Sequence, residues 1–422
     1  MKLSKNVKKQ LLNILFVLIL FGITFGILIA SSDELNWTSV KQFLTECNEW
    51  ILLGAIGCMI LFVFFEALSL HIICRRLGYK PKLRSSLAYS ASDIYYSALT
   101  PSATGGQPAS AFYMVRDGID GGTSGFGLLL NLFAYTGAIL VIGVFSFIFG
   151  FSELMALGTV TQIFVYVGFA VQVVLFAFFF LCMAKDKMVL KFGNVIVSLL
   201  CKLRIMKKKE KWLERWRLAV VKYRNGYEEF KKHKSLFLWA LLLNVLQRAS
   251  QVMISYFVCR SFADVNVIDI FCAQAFILLG YNSIPIPGGS GAYELLYMGT
   301  YTVLLADVGQ GFIPIALMIT RLISYYICMV LCGIYTYAYH ILGGRKKLIS
   351  AKYGENVTEA PEETDVKKRG EVAKEAEALS RGEVTAETAF TIGHSAKVVE
   401  ETEPVGLEDI PHVTEEQPHD PS

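Results

Sequence analysis

Long apolar stretches alternate with short polar ones along most of this chain. Runs of about 20 apolar residues, the length needed to cross a bilayer, cover Leu11–Ala30, Ile51–Ile73, Phe126–Gly150, Val160–Met183, Leu236–Val258 and Phe312–Leu342. Each predicts a membrane-spanning helix. Two further segments are apolar but interrupted. One reads SSLAYSASDIYYSALTPSATGGQPASAFYMVRDG, with its break at Thr100, Pro101, Gly105, Gly106 and Gln107; the other is Ile268–Leu305, broken at SIPIPGGSGAYELL by Pro285, Pro287, Gly288 and Gly289. Proline ends a helix by removing a donor and glycine permits tight turns, so each segment predicts two half-helices around an exposed backbone corner.

Charge fixes how these segments run. Lys and Arg concentrate in cytoplasmic loops. The start MKLSKNVKKQ, the stretch RRLGYKPKLR, the loop 185–234 with 16 Lys+Arg against five acids, and the GGRKK after the last run are all basic and are placed inside. The loop after the first run is acidic and is placed outside. The first run is longer than the apolar region of a cleavable signal peptide, so it predicts a retained helix. With these sides set, each interrupted segment must begin and end on one side, the first inside and the second outside. The expected fold is therefore an all-α polytopic membrane protein of about six full spans plus two oppositely oriented re-entrant helical hairpins, in the manner of inverted-repeat transporters. Both termini are expected in the cytoplasm.

Composition divides the chain further. Of 422 residues 54% are hydrophobic, which suits a polytopic membrane protein. Residues 1–349 carry 33 Lys+Arg against 18 Asp+Glu, whereas residues 350–422 carry 7 against 18. Residues 1–345 read as a transmembrane domain that includes the basic cytosolic loop 185–234. Residues 346–422 read as a disordered acidic cytosolic tail, too poor in apolar residues to offset chain entropy. The basic loop is either a solvated helix or one lying on anionic lipid.

The nine cysteines lie mostly in apolar runs, and no Cys/His cluster has metal-ligand spacing. No Walker loop, GxSxG or HExxH is present. Neither metal nor cofactor is expected, and no nucleic acid unless a synthase activity is present. The chemistry that remains is charge placed in apolar surroundings. Glu294 follows the second break, where it either caps the next helix or binds a ligand. Arg248 and Arg321 fall inside apolar runs and call for a carboxylate or phosphate; Glu294, Asp93, Glu66 and lipid phosphate are the candidates. Arg116, after the first break, is either a head-group ligand or an interfacial cation. Glu66 and His71 are read as a buried acid and an interfacial residue, with a proton relay as the alternative.

TPSATGGQPASAFYM, a distant PIPGGSGAYE and the later TRLISYY together resemble the lysylphosphatidylglycerol synthase transmembrane-region family, over roughly residues 8–345. This family supplies the flippase-like membrane half of the multiple peptide resistance factor. The resemblance implies two re-entrant elements meeting at a lipid-accessible cavity. It also implies translocation of a phospholipid such as lysyl-phosphatidylglycerol, with a link to resistance against cationic antimicrobial peptides. Phospholipid and bilayer are the partners implied, and a homo-oligomer is compatible. The family's first motif often has an acid where Gln107 stands. The chain after Gly343 does not resemble the soluble transferase domain, so lysyl transfer by this chain alone is not expected. The alternatives are a phosphatidylglycerol lysyltransferase, or an accessory subunit of one, and a membrane scaffold.

Overall fold

In the computed structural model, described residues are 41, 45, 47–100, 103–184, 195, 198, 220, 223–224, 226–228, 230–231, 235–284, 286–306 and 312–342. The run Leu11–Ala30, most of the basic loop and the acidic tail lie outside them. The described residues are helical, with no strand among them.

Helix α1 spans Glu49–Arg76, and Asn48 caps it by accepting from the amides of Trp50 (3.1 Å) and Ile51 (3.4 Å). Helices α2 (Leu83–Leu99) and α3 (Gly106–Arg116) flank the first break. Then come α4 (Gly121–Phe149), short α5 (Phe151–Ala156) and α6 (Thr159–Ala184). Helix α7 covers Ser235–Arg260, and α8 (Val267–Asn282) and α9 (Ala292–Leu304) flank the second break. A last helical run joins α10 (Phe312–Arg321) through a π-helical turn, Leu322–Ile327, to α11 (Cys328–Leu342).

Five of these runs, Glu49–Arg76, Gly121–Phe149, Thr159–Met183, Ser235–Arg260 and Phe312–Ile341, are long and apolar enough to cross a membrane. They coincide with five of the six runs expected from the sequence. Their outer faces carry exposed Ile60, Ile148, Val174, Leu238 and Ile334, which suit lipid and not water. The helices beside the breaks are shorter, with 17 and 11 residues in α2 and α3 and 16 and 13 in α8 and α9. At about 1.5 Å per residue none of these four spans the roughly 30 Å of hydrocarbon alone.

The last helical run packs against both interrupted segments. Ala91 of α2 shares a core with Met59 and Phe62 of α1, Ile254 of α7, and Ile323 and Cys328. On the other side Tyr293, Leu296 and Tyr297 of α9 pack with Ile277 of α8 and Leu317 of α10. Buried polar side chains add directional ties between spans: Ser69 Oγ donates to Asn131 Oδ1 at 2.7 Å, and Asn244 Nδ2 donates to the same oxygen at 3.1 Å.

The second break needs its glycines, three of which (Gly288, Gly289 and Gly291) have positive φ, and an ion pair. Gly288 has φ +60°, and a Cβ there would come within 2.5 Å of the Tyr325 ring. Backbone groups freed at a break and shut off from water must find their partners in protein. Arg321 supplies them, with Nη1 donating to the Gly288 carbonyl at 3.0 Å and Nε donating to Glu294 Oε1 at 2.9 Å. The other Glu294 oxygen accepts from the Gly291 amide at 2.5 Å, which closes the start of α9. The ion-paired side chains are each 6% exposed. Glu294 is thus both a helix cap and the partner of a buried cation.

Breaking such a pair strands a buried charge. Arg321→Gln and Glu294→Gln are each expected to destabilise the protein by about 3–5 kcal/mol, and the double variant by less than their sum. Gly288→Ala, strained by both φ and the Tyr325 ring, is expected to lose about 1–3 kcal/mol. Thermal unfolding midpoints of the purified protein in detergent check all four variants.

Candidate functional site

The two breaks come together. Ser97, Thr104 and Gln107 from the first segment and Ser283, Gly288 and Gly289 from the second border one cavity of about 620 Å³. The spans complete its wall with Glu66 of α1, Tyr135 of α4, Gln247, Arg248 and Gln251 of α7, and Tyr325 of the π turn. Tyr325 also bridges the segments, since its hydroxyl donates to the Ala98 carbonyl at 2.8 Å while its ring lies against Gly288.

Three charged side chains line this space, all nine-tenths buried or more: Glu66, Asp93 and Arg248. Each acid is held by a neutral amide. Gln247 Nε2 donates to Glu66 Oε2 at 2.9 Å, and Gln107 Nε2 donates to Asp93 Oδ2 at 2.7 Å. Ser97 Oγ adds a bond to Asp93 Oδ1 at 3.0 Å. Arg248 lies between the rings of Phe62 and Tyr135, at 4.9 and 4.4 Å from their centroids, and Nη1 donates to Gln251 Oε1 at 2.6 Å. Among the described residues no carboxylate reaches it within ion-pair distance, and its Nε has no acceptor. A guanidinium over aromatic rings with a donor to spare is suited to a phosphate or carboxylate.

Arg321 lies apart from this space. It lines an adjoining chamber of about 110 Å³, which shares Gln251, Tyr281, Gly288, Ser324 and Tyr325 with the main cavity. Its charge is matched by Glu294. The two intramembrane arginines therefore differ in kind, one neutralised inside the fold and one without a carboxylate partner.

The other residues singled out from the sequence sort by position. Gln107, Arg248, Gly288 and Gly289 line the cavity. Thr100, Gly105 and Gly106 shape the first break instead. Thr100 Oγ1 donates to the Tyr96 carbonyl at 2.7 Å and accepts from the Gly105 amide at 2.8 Å. At Gly106 a Cβ would come within 2.0 Å of both Asp93 Oδ1 and Ser97 Oγ, so its absence lets α3 approach α2. Pro287 opens a 3₁₀ turn, Pro287–Gly289. Pro101 and Pro285 lie outside the described residues. Arg116 is not among the residues that line the cavity; it sits at the end of α3, where Nη2 donates to the His340 carbonyl at 2.8 Å and Nη1 lies 3.2 Å from His340 Nδ1. His71 meets Ser86 Oγ at 3.1 Å, while Glu66 binds Gln247, so the two form no direct relay.

Sequence reasoning passed over Gln247, Gln251 and Tyr325. Gln247 and Gln251 were legible in principle, being amides four apart in an apolar run beside Arg248, and hence on one helix face. Tyr325 had no such signal, because its direction is set by the π turn.

Residues 11–332 match the family described as "Lysylphosphatidylglycerol synthase TM region". A "UPF0104 membrane protein" of Archaeoglobus fulgidus is 24% identical over 330 residues, covering 74% of this chain and 92% of that relative. No solved structure matches the chain significantly. Five helices fit to span a membrane, two interrupted segments packed on a common cavity, and a family match running from the first apolar run into the last lead to one statement: this multi-pass membrane protein belongs to the lysylphosphatidylglycerol synthase transmembrane-region family.

Proposed function

We propose that the protein is a lipid translocase. It takes the polar head group of a phospholipid into the cavity between the two breaks and passes it from one leaflet to the other, while the acyl chains stay in the bilayer. The observation that carries this reading is Arg248, a buried cation in a cavity walled by both interrupted segments, with no carboxylate partner among the described residues. Ionisable groups in membrane segments are rare; they either pair with one another, as Arg321 and Glu294 do, or mark substrate and ion pathways. The phosphate common to phospholipids fits its donors. In this reading the two segments are re-entrant from opposite faces, the basic loops place both termini in the cytoplasm, and the protein acts in the cell membrane.

The family's name favours a second reading, in which the chain serves as the membrane subunit of lysylphosphatidylglycerol synthesis. Labelled lysyl-tRNA given to membranes holding this chain alone separates the two: labelled lipid supports synthesis.

Reconstitution tests translocation directly. Vesicles carrying a nitrobenzoxadiazole-labelled phospholipid are expected to lose nearly all fluorescence to dithionite when the protein is present, against about half in protein-free vesicles. Equal quenching in both overturns the reading. Arg248→Gln is expected to slow leaflet exchange about tenfold or more, since a charge-assisted bond to phosphate is lost.

A further inference from the structure

The main cavity holds two carboxylates and one guanidinium. Glu66, Asp93 and Arg248 are 7%, 5% and 7% exposed, and all three line it. The second arginine cannot adjust this balance, because Arg321 is bound to Glu294 in the adjoining chamber. With every group ionised the cavity has a formal charge of minus one, and a phosphodiester entering beside Arg248 makes it minus two. Gln247 offers a place for a proton to offset this charge. Its Nε2 donates to Glu66, but its Oε1, buried in the same wall, has no donor among the described residues. A buried acceptor without a donor is costly, and the hydroxyl of a protonated carboxyl group beside it supplies one.

We infer that Glu66 and Asp93 form a proton-carrying pair, so that an anionic phosphodiester head group enters the cavity together with one proton. This rests on the reading of the cavity as a head-group site. The proton comes from the water facing the cavity, adds to a carboxylate oxygen of the pair, and returns to water on the side where the lipid leaves. No covalent bond of the lipid changes. Substrate movement is thereby tied to a proton gradient, which gives the translocase an energy source. The other titratable or charged groups facing the pair are Arg248 of α7, Tyr135 of α4, Tyr281 of α8, and Tyr325, Cys328 and Cys332 of the last helical run. Arginine stays charged, and phenols and thiols hold their protons far more tightly than carboxylic acids do, so the two acids are the groups that give up and take back the proton. His71 is turned to Ser86 and takes no part.

The experiment measures proton uptake on binding. Purified protein in detergent and weak buffer is titrated with short-chain phosphatidylglycerol, following bound lipid by calorimetry and protons by a pH dye. About one proton is expected per bound lipid, with affinity rising up to about tenfold for each unit the pH falls. Short-chain phosphatidylcholine, whose ammonium already balances its phosphate, is expected to bind with little uptake. In Glu66→Gln and in Asp93→Asn, uptake per bound phosphatidylglycerol is expected to fall toward zero, and either variant suffices if the other does not fold. Phosphatidylglycerol binding without uptake, equal uptake with both lipids, or uptake unchanged in a folded variant overturns the proton-carrying pair and leaves the head-group site standing. Absence of binding by either lipid overturns the head-group site and the pair with it.

Discussion

Arg321 is the point on which the second interrupted segment depends. A chain that breaks its helix inside a packed fold frees carbonyls and amides that must find partners there. Here one side chain takes the Gly288 carbonyl and one Glu294 oxygen, and Glu294 in turn takes the Gly291 amide. Corner, helix start and last span are thereby joined through a single guanidinium. The Tyr293 ring lies under it, 3.9 Å from centroid to guanidinium carbon. The first break is lighter in charge and relies on hydroxyls and small residues. Thr100 satisfies the backbone at Gly105, and Gly106 lets Asp93 and Gln107 face each other across the turn.

Because Glu294 is committed to Arg321, the cavity's own charges are set by residues elsewhere. Glu66 and Asp93 come from the first half of the chain and Arg248 from the second. They meet because α7 and α2 both pack along α1. The amides of Gln107 and Gln247 hold the acids without neutralising them, so the charge balance stays open to whatever enters. An arginine in place of either glutamine would have made a closed structural pair.

Much of this architecture was legible in the sequence. Five of the six apolar runs have their helices, and both Pro/Gly clusters fall at true breaks, because hydrophobic length and backbone chemistry act locally. The pairing of Arg321 with Glu294 was among the options that charge alone allowed. What could not be read was the partition of charges between two chambers. Arg248 and Arg321 look alike in sequence, each a lone cation in an apolar run, and only packing decides which receives the carboxylate. Arg116, open in the sequence between ligand and interfacial cation, could not be placed for a related reason. It lies nine residues from Gln107, but the straight helix α3 carries it away from the break to the end of the last span, where it binds His340.

The π turn at Leu322–Ile327 sets the phase of everything that follows it. An extra residue in one turn shifts the helical register by about 100°. Tyr325 faces Gly288 and the 15 residues of α11 present Cys328, Cys332 and Gly333 inward with that offset included, the last against Tyr95. Excision of a single amino acid from this turn would therefore act like turning a key in a lock: the tyrosine would swing off the glycine corner, and the small-residue stripe of α11 would rotate away from α2 toward the acyl chains.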